Sequence, residues 1–315
     1  MFQKMINTLN FKLFWVLLLA QVLYACQSEL KFSGEDSKPK LVISSFVSPD
    51  DTIKVHVSLS KFFLSNSSYS NVDDAKVDLF LNGKYAATLI HKAAGEYYAA
   101  IKPNSGDVVR LEIESPKYGT ASVESYVPTP QDKMSVQPKI DMYNKMYLSI
   151  NDNSATENYY RIVGIQQIEY YSNTDKKLFI SKIDFKLLKN LEGDQLPKYE
   201  STDGYPLYFS DKLFNGKTIT LELEPTTYDS VYNVKSLVSS QDTINYPILD
   251  SIRYDFEIQS ITEDYYLFLK TRKLSETKSF LQEPVQVKSN VIGGIGILGA
   301  FSSLRVSKTW IPIEK

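Results

Sequence analysis

Two adjacent acid pairs, Asp50-Asp51 and Asp73-Asp74, are the first residues of the chain whose types could do chemistry. Two carboxyl groups suffice for glycoside hydrolysis, one as proton donor and the other as nucleophile or base. Adjacent residues on a strand point to opposite faces, and neither pair adjoins an apolar pocket that would raise a pKa, so both read as solvated loop charge. His56 and His91 are the only imidazoles. His56 falls on the polar face of an alternating strand and His91 follows the end of another. Neither has a second ligand at metal-site spacing, and no Ser-His-Asp constellation surrounds them. Acids at alternate positions followed by Gly, as in an EF-hand calcium loop, do not occur. Gly294-Ile295-Gly296-Ile297-Leu298-Gly299 matches the three-glycine dinucleotide pattern literally. That fingerprint needs a following helix, whereas the next residues read as strand, so the segment is a Gly-rich bend or a close backbone approach. No catalytic, cofactor-binding or metal residue is assigned.

Composition narrows the classes further. The chain has 315 residues, with 35 Lys plus Arg against 37 Asp plus Glu and a formal net charge of -2. Basic residues are scattered among acids, which argues against a nucleic-acid binder, and 43% hydrophobic content argues against disorder. Tyrosine is abundant, 22 against 16 Phe, with doublets at Tyr97-Tyr98, Tyr159-Tyr160, Tyr170-Tyr171 and Tyr265-Tyr266. A ring that tolerates one wet end suits β-sheet faces, and could also form a stacking platform for sugars or peptides.

The single cysteine excludes an intrachain disulfide and points to another use. Lys4 and Lys12 precede the apolar run Leu13 to Ala25, which is shorter than the ~20 residues of a membrane helix and reads as an export signal. It ends in Leu23-Tyr24-Ala25-Cys26, similar to the bacterial lipobox, so Cys26 is the expected site of acylation and residues 1–25 the expected cleaved leader. Each buried acyl methylene contributes about 0.8 kcal/mol, enough for several chains to hold a protein to a bilayer. Loss of Lys4 and Lys12 takes the formal charge from -2 to -4. Residues 26–39, polar with Gly34 and Pro39, read as a flexible tether. Asp51-Thr52-Ile53, Asp229-Ser230-Val231, Asp242-Thr243-Ile244 and Asp250-Ser251-Ile252 share an Asp, Ser or Thr, aliphatic pattern. It looks like an O-glycosylation sequon of Bacteroidota envelope proteins and marks Thr52, Ser230, Thr243 and Ser251.

The elements that would position these residues are mostly strands. Leu41 to Val47, Thr52 to Leu59, Ala75 to Leu81, Lys84 to Ile90, Gly95 to Ile101, Val108 to Glu114 and Ala121 to Val127 alternate or run apolar, and Asn82-Gly83 suits a type I′ hairpin turn. Seven short strands predict an immunoglobulin-like β-sandwich over 40–130, ending at Pro128-Thr129-Pro130. Over 131–315 the strand candidates are Lys145 to Asn151, Tyr159 to Tyr171, Leu178 to Leu188, Lys217 to Glu224, Ser230 to Leu237, Ile252 to Ile258, Val285 to Val291 and Leu304 to Ile311. Asn215-Gly216 is a second hairpin signal. Thr262 as N-cap, Glu263 and Asp264 after it and Lys270, Arg272 and Lys273 further on frame one helix. The expected fold is all-β, a sandwich followed by a larger β-barrel or sandwich with one helix.

Several stretches together resemble a known family, the domain of unknown function 4249 lipoproteins of Bacteroidota. They are Pro39-Lys40-Leu41-Val42-Ile43 with Ser48-Pro49 and Asp51, Asn82-Gly83, Phe209-Ser210-Asp211 with Phe214-Asn215-Gly216-Lys217, and Asp264-Tyr265-Tyr266-Leu267. Glu283-Pro284-Val285, Ser289-Asn290-Val291 and Gly294 to Ala300 complete the pattern. The resemblance implies an outer-membrane lipoprotein encoded beside a TonB-dependent transporter, and no catalytic residue. Gln27-Ser28-Glu29 offers one acid where surface-exported lipoproteins carry a cluster, which leaves surface and periplasmic orientations both open. The expectation is a non-enzymatic, lipid-anchored accessory or ligand-binding protein partnering such a transporter. The alternatives are an envelope glycan hydrolase using paired carboxylates and a purely structural surface protein.

Overall fold

Period-two alternation of apolar residues dictates the first layer. Leu41, Ile43 and Val47 of β1 (Leu41–Val47) and Val55, Val57 and Leu59 of β2 (Lys54–Leu59) point one way into a common core. The computed structural model describes residues 38–61, 70–130, 134–138, 146–152, 156–172, 175–190, 207–212, 214–226, 248–276 and 285–310. Residues 1–37, with Cys26 and most of the expected tether, lie outside that set, as do Ser230, Thr243 and the expected strand Ser230 to Leu237. Pro39–Lys61 and Asn66–Lys315 belong to one compact unit.

After β1 and β2 come β3 (Lys76–Leu81), β4 (Lys84–Thr88), β5 (Ile90–Ala93), β6 (Glu96–Tyr98), β7 (Val108–Ser115) and β8 (Gly119–Tyr126). A four-stranded sheet, β4-β3-β7-β8, packs over the segment β5-β6-β2-β1 of a larger sheet. Ile43, Val55, Val57 and Tyr97 meet Val77, Leu79, Leu111, Ile113 and Val123 in the shared core. Asn82 and Gly83 have φ of 51° and 76°, the left-handed pair that a two-residue type I′ turn requires. The single strand expected over Lys84 to Ile90 divides instead, because the chain changes sheets at the buried Leu89, whose N–H donates to the Val77 carbonyl at 2.8 Å.

Tyr97 fastens the β2–β3 connection. It is 1% exposed, donates its hydroxyl to the Val72 carbonyl at 2.8 Å and accepts the Ala75 N–H at 3.0 Å. Tyr97→Phe keeps the ring and strands both backbone groups, so urea unfolding should show a loss of about 1–3 kcal/mol at unchanged m. An unaltered midpoint would mean that water takes over both bonds.

The remaining strands are β9 (Met134–Pro138), β10 (Met146–Asn151), β11 (Tyr159–Ser172), β12 (Asp175–Asn190), β13 (Leu207–Ser210), β14 (Thr218–Thr226), β15 (Ile248–Ile261) and β16 (Ile295–Trp310). The larger sheet runs β5-β6-β2-β1-β16-β15-β11-β12-β14-β10-β9, with β13 on β11. Its two ends are not paired with each other, so among the described residues the sheet is open and the fold all-β without a closed barrel. β9 and β13 carried no strand signal. Val285 to Val291 reads as strand in sequence but forms none, since its side chains serve β16 instead. Asn215-Gly216 is no hairpin: β13 pairs with β11 and β14 with β10 and β12, and Gly216 donates its N–H to Asp152 at 2.6 Å.

β16 joins the strands before Pro128 to those after it. Val42 to Val47 pair in parallel with Ile295 to Ala300, and Phe301 to Trp310 pair antiparallel with β15. A Cβ on Gly296, whose φ is 125°, would overlap the Ile43 carbonyl oxygen, so the glycine segment is a close backbone approach within a strand. On the edge away from β1, Gly296 donates its N–H to Ser289 Oγ at 3.1 Å. Leu298 donates to Asn290 Oδ1 at 3.0 Å and accepts from Asn290 Nδ2 at 3.1 Å. Ser289-Asn290 thus pairs this half of β16 as a neighbouring strand would.

The one helix among the described residues, α1 (Glu263–Glu276), begins after Thr262 as expected, and Tyr266 donates its N–H to the Thr262 carbonyl at 2.9 Å. Thr262 Oγ1 itself is buried without a partner, so the expected capping bond is not made. Tyr265 and Tyr266 are buried with Tyr208 and Ile261 on the sheet.

Candidate functional site

Where α1 lies over the sheet, five elements leave a cavity of about 460 Å³ between them. Its aromatic lining comes from Phe46 of β1, Tyr208 of β13, Phe301 of β16, and Tyr265 and Phe268 of α1. Alternation explains Phe46: its neighbours Ser45 and Val47 are buried in the sandwich, so its ring is driven to the opposite face, where it is 41% exposed. It lies 5.1 Å from the Tyr265 ring and 6.5 Å from Phe268, and Tyr265 lies 6.5 Å from Phe301. Gly299 makes room for this stack. A Cβ there would come to 2.8 Å from Phe46 Cδ1 and 3.0 Å from Tyr265 Cγ, both ring atoms that cannot swing aside.

Arg161 of β11 supplies the polar element of the cavity. Its Nη1 donates to Gln259 Oε1 at 2.9 Å and to the Tyr265 hydroxyl at 3.2 Å, and its Nε is buried without a partner. Among the described residues no carboxylate pairs with it. Gln259 is held in turn by its Nε2 donating to Glu257 at 2.8 Å. Burial pushes the Tyr265 phenol up, against the lowering pull of Arg161, so the hydroxyl is neutral and keeps a proton to donate. Glu276, the carboxylate of the lining, pairs with Arg272 at 2.8 Å. An aromatic lining with a guanidinium fixed among it could take a planar or apolar group that carries an acceptor. Glu276 is the one carboxylate among its described lining residues, so the cavity lacks the carboxylate pair of a glycosidase.

The acid pairs singled out in sequence lie elsewhere, and one member of each makes a tertiary contact. Asp50 pairs with Arg305 at 2.9 Å. Asp73 accepts the Gly95 N–H at 2.6 Å and contacts His91 Nε2 at 3.0 Å, and these bonds, the backbone one foremost, hold its carboxyl below the usual carboxylate range. That shift is opposite to the one a general acid needs. His56 contacts Asn71 at 3.2 Å. Among the described residues no group of three or more His, Cys, Asp or Glu gathers as a metal cluster. Thr52 is half-buried just before β2 and Ser251 lies in β15. Of the tyrosine doublets, Tyr97 and Tyr160 bury their rings, while Tyr159 packs on Tyr266 at 4.9 Å. Sequence reasoning singled out Tyr265, Arg272 and Lys273 of the helix and the glycine segment near the cavity. Phe46, Arg161, Tyr208 and Phe301 lie far apart in sequence, and only the large ring of Phe46, on the face of β1 opposite its buried residues, could have flagged one of them.

No helix among the described residues is long and apolar enough to cross a membrane. No curated protein sequence matches the chain. Solved structures resemble it only faintly. One is that reported for manganese lipoxygenase of Gaeumannomyces graminis with part of zonadhesin of Komagataella pastoris, at 10% identity and a TM-score of 0.25 over 86% of this chain and 93% of that one. Another is a protein of Corynebacterium diphtheriae assigned as membrane-anchored, at 12% identity and a TM-score of 0.22 over 84% of this chain and 60% of that one. The model of a domain of unknown function, DUF4249, matches residues 27–306, which takes in β1, the cavity-lining α1 and most of the glycine strand β16, and the chain belongs to that family.

Proposed function

We propose that the protein is a non-enzymatic, ligand-binding lipoprotein of a Bacteroidota outer membrane, anchored through acylated Cys26 and partnering a TonB-dependent transporter. The observation that carries the binding role is Arg161, a guanidinium without a carboxylate partner among the described residues, in the lining of an aromatic cavity. A carboxylate or similar acceptor on a ligand would give that guanidinium the charge-assisted bond it lacks. The ligand class that fits is a small planar or amphiphilic molecule with a carboxylate or similar acceptor. The lipobox at Leu23 to Cys26 supports the anchor. The engaged state of Asp50 and Asp73 weighs against the glycan-hydrolase alternative.

Purification from native-host membranes in mild detergent tests this reading. The expected result is a chain whose mass begins at a lipidated Cys26, recovered with a β-barrel transporter. An unlipidated chain recovered alone would contradict both anchor and partner. The same intact mass tests glycosylation at Thr52, Ser230, Thr243 and Ser251, and a mass without added hexoses removes it.

A further inference from the structure

Away from the cavity, two fully buried carboxylates sit together with no cation beside them. Asp152, just after β10, is 1% exposed, and Asp211, just after β13, is 0% exposed. Asp152 Oδ1 accepts from the Tyr160 hydroxyl at 2.9 Å and its Oδ2 from the Gly216 N–H at 2.6 Å. Asp211 Oδ2 faces Asn158 Nδ2 at 3.0 Å, and its other oxygen, Oδ1, is buried without a partner. Among the described residues neither carboxylate has a Lys or Arg partner. Phe209 and Phe214, with rings 6.2 Å apart, and the Tyr160 ring, 5.7 Å from Phe209, are buried beside them.

Three oxygens converge on the Asn158 amide: Asp152 Oδ1 at 3.2 Å, Asp211 Oδ2 at 3.0 Å and the Thr156 carbonyl at 2.9 Å from Nδ2. An NH₂ group has two hydrogens and cannot satisfy three acceptors, and it leaves Asp211 Oδ1 orphaned as well. A proton on Asp211 would cancel one charge, but its own O–H would then need an acceptor. A cation satisfies every oxygen at once, since the Asn158 amide is nearly symmetric in shape and can turn its own Oδ1 toward the same point.

We propose that Asp152, Asp211, Asn158 and the Thr156 carbonyl form a calcium site. Asp211 would bind through both oxygens, Asp152 through Oδ1 and Asn158 through Oδ1, which with the Thr156 carbonyl makes five protein ligands. Thr156 is exposed, so water can complete the six to eight oxygens that calcium takes. Two carboxylates balance its charge, and an all-oxygen set suits a hard cation rather than a transition metal. Burial pushes the Asp211 carboxyl up, against the lowering hydrogen bonds from Asn158, and the charges of Asp152 and Glu157 add to the rise. The bound ion would tie the β10–β11 connection to the turn at Asn215-Gly216.

Full-length mature chain, stripped with chelator, is titrated with terbium while tyrosine is excited, because the Tyr160 hydroxyl bonded to Asp152 places a sensitiser beside the ion. Thermal unfolding is followed at about 1 mM calcium or magnesium, the range in which extracellular calcium modules fill. The expected result is saturable emission at one ion per chain, displaced by calcium. Calcium should raise Tm by several degrees and magnesium far less. Asp211→Asn should abolish emission and Tm shift. If it fails to fold, Asn158→Ala should weaken calcium binding at least tenfold. Absence of emission and shift in the native chain would overturn the site, as would either variant binding calcium like the native chain.

Discussion

Replacing Gly296 by Ala lowers stability by roughly 2–4 kcal/mol. At φ 125° the backbone is in a region that L side chains rarely adopt, and the new Cβ would overlap the Ile43 carbonyl and crowd its C and N at 2.8 and 2.9 Å. Those are backbone atoms of β1 in a parallel pair, so relief requires β1 and β16 to separate. Gly83→Ala is the control. Its φ of 76° is also left-handed, but nothing lies within 4 Å of the added carbon, and about 1 kcal/mol is expected. Denaturant unfolding of the two variants side by side separates steric overlap from backbone strain. Equal losses would show that β1 and β16 are not held at this spacing.

Removing the Asn290 side chain has the second large effect. Leu298 is 0% exposed, and on the side away from β1 both its N–H and its carbonyl are satisfied by this one amide. Asn290→Ala leaves a buried donor and a buried acceptor unpaired, for roughly 2–3 kcal/mol. Asn290→Asp restores the acceptor for the Leu298 N–H but opposes a charge to its carbonyl, so it should recover little. Hydrogen exchange gives the local readout. The Leu298 amide should lose protection in Asn290→Ala well beyond the change at the Val57 amide, which is bonded to the Gly95 carbonyl in the same sandwich.

What could be read from sequence follows from how far apart the interacting residues are. Leu41 to Val47, Lys76 to Leu81 and Val108 to Ser115 were legible because alternation is local and each strand buries one face. The helix was legible because acids and bases sort to its ends around Tyr265 to Leu269. The parallel partnership of β1 with β16 was not, since nothing in Val42 announces Ile295. Gly296 signalled a close approach but could not say to what. Asn215-Gly216 has hairpin residues, yet its flanking strands find other partners and Gly216 turns its N–H to Asp152. The cavity was the least legible part. Its rings come from β1, β13, α1 and β16, and Arg161 reads as one more polar residue on a strand until the sheet brings Gln259 and Tyr265 to it.

The central claim, that this cavity binds a planar ligand through Arg161, is tested most directly by fluorescence titration with anilinonaphthalene sulfonate, a probe with aromatic rings and one anionic group. The native chain should show saturable one-site binding, and Arg161→Gln should weaken it tenfold or more, equivalent to about 1.4 kcal/mol, with an unchanged circular dichroism spectrum. The same affinity in Arg161→Gln as in the native chain would contradict the account.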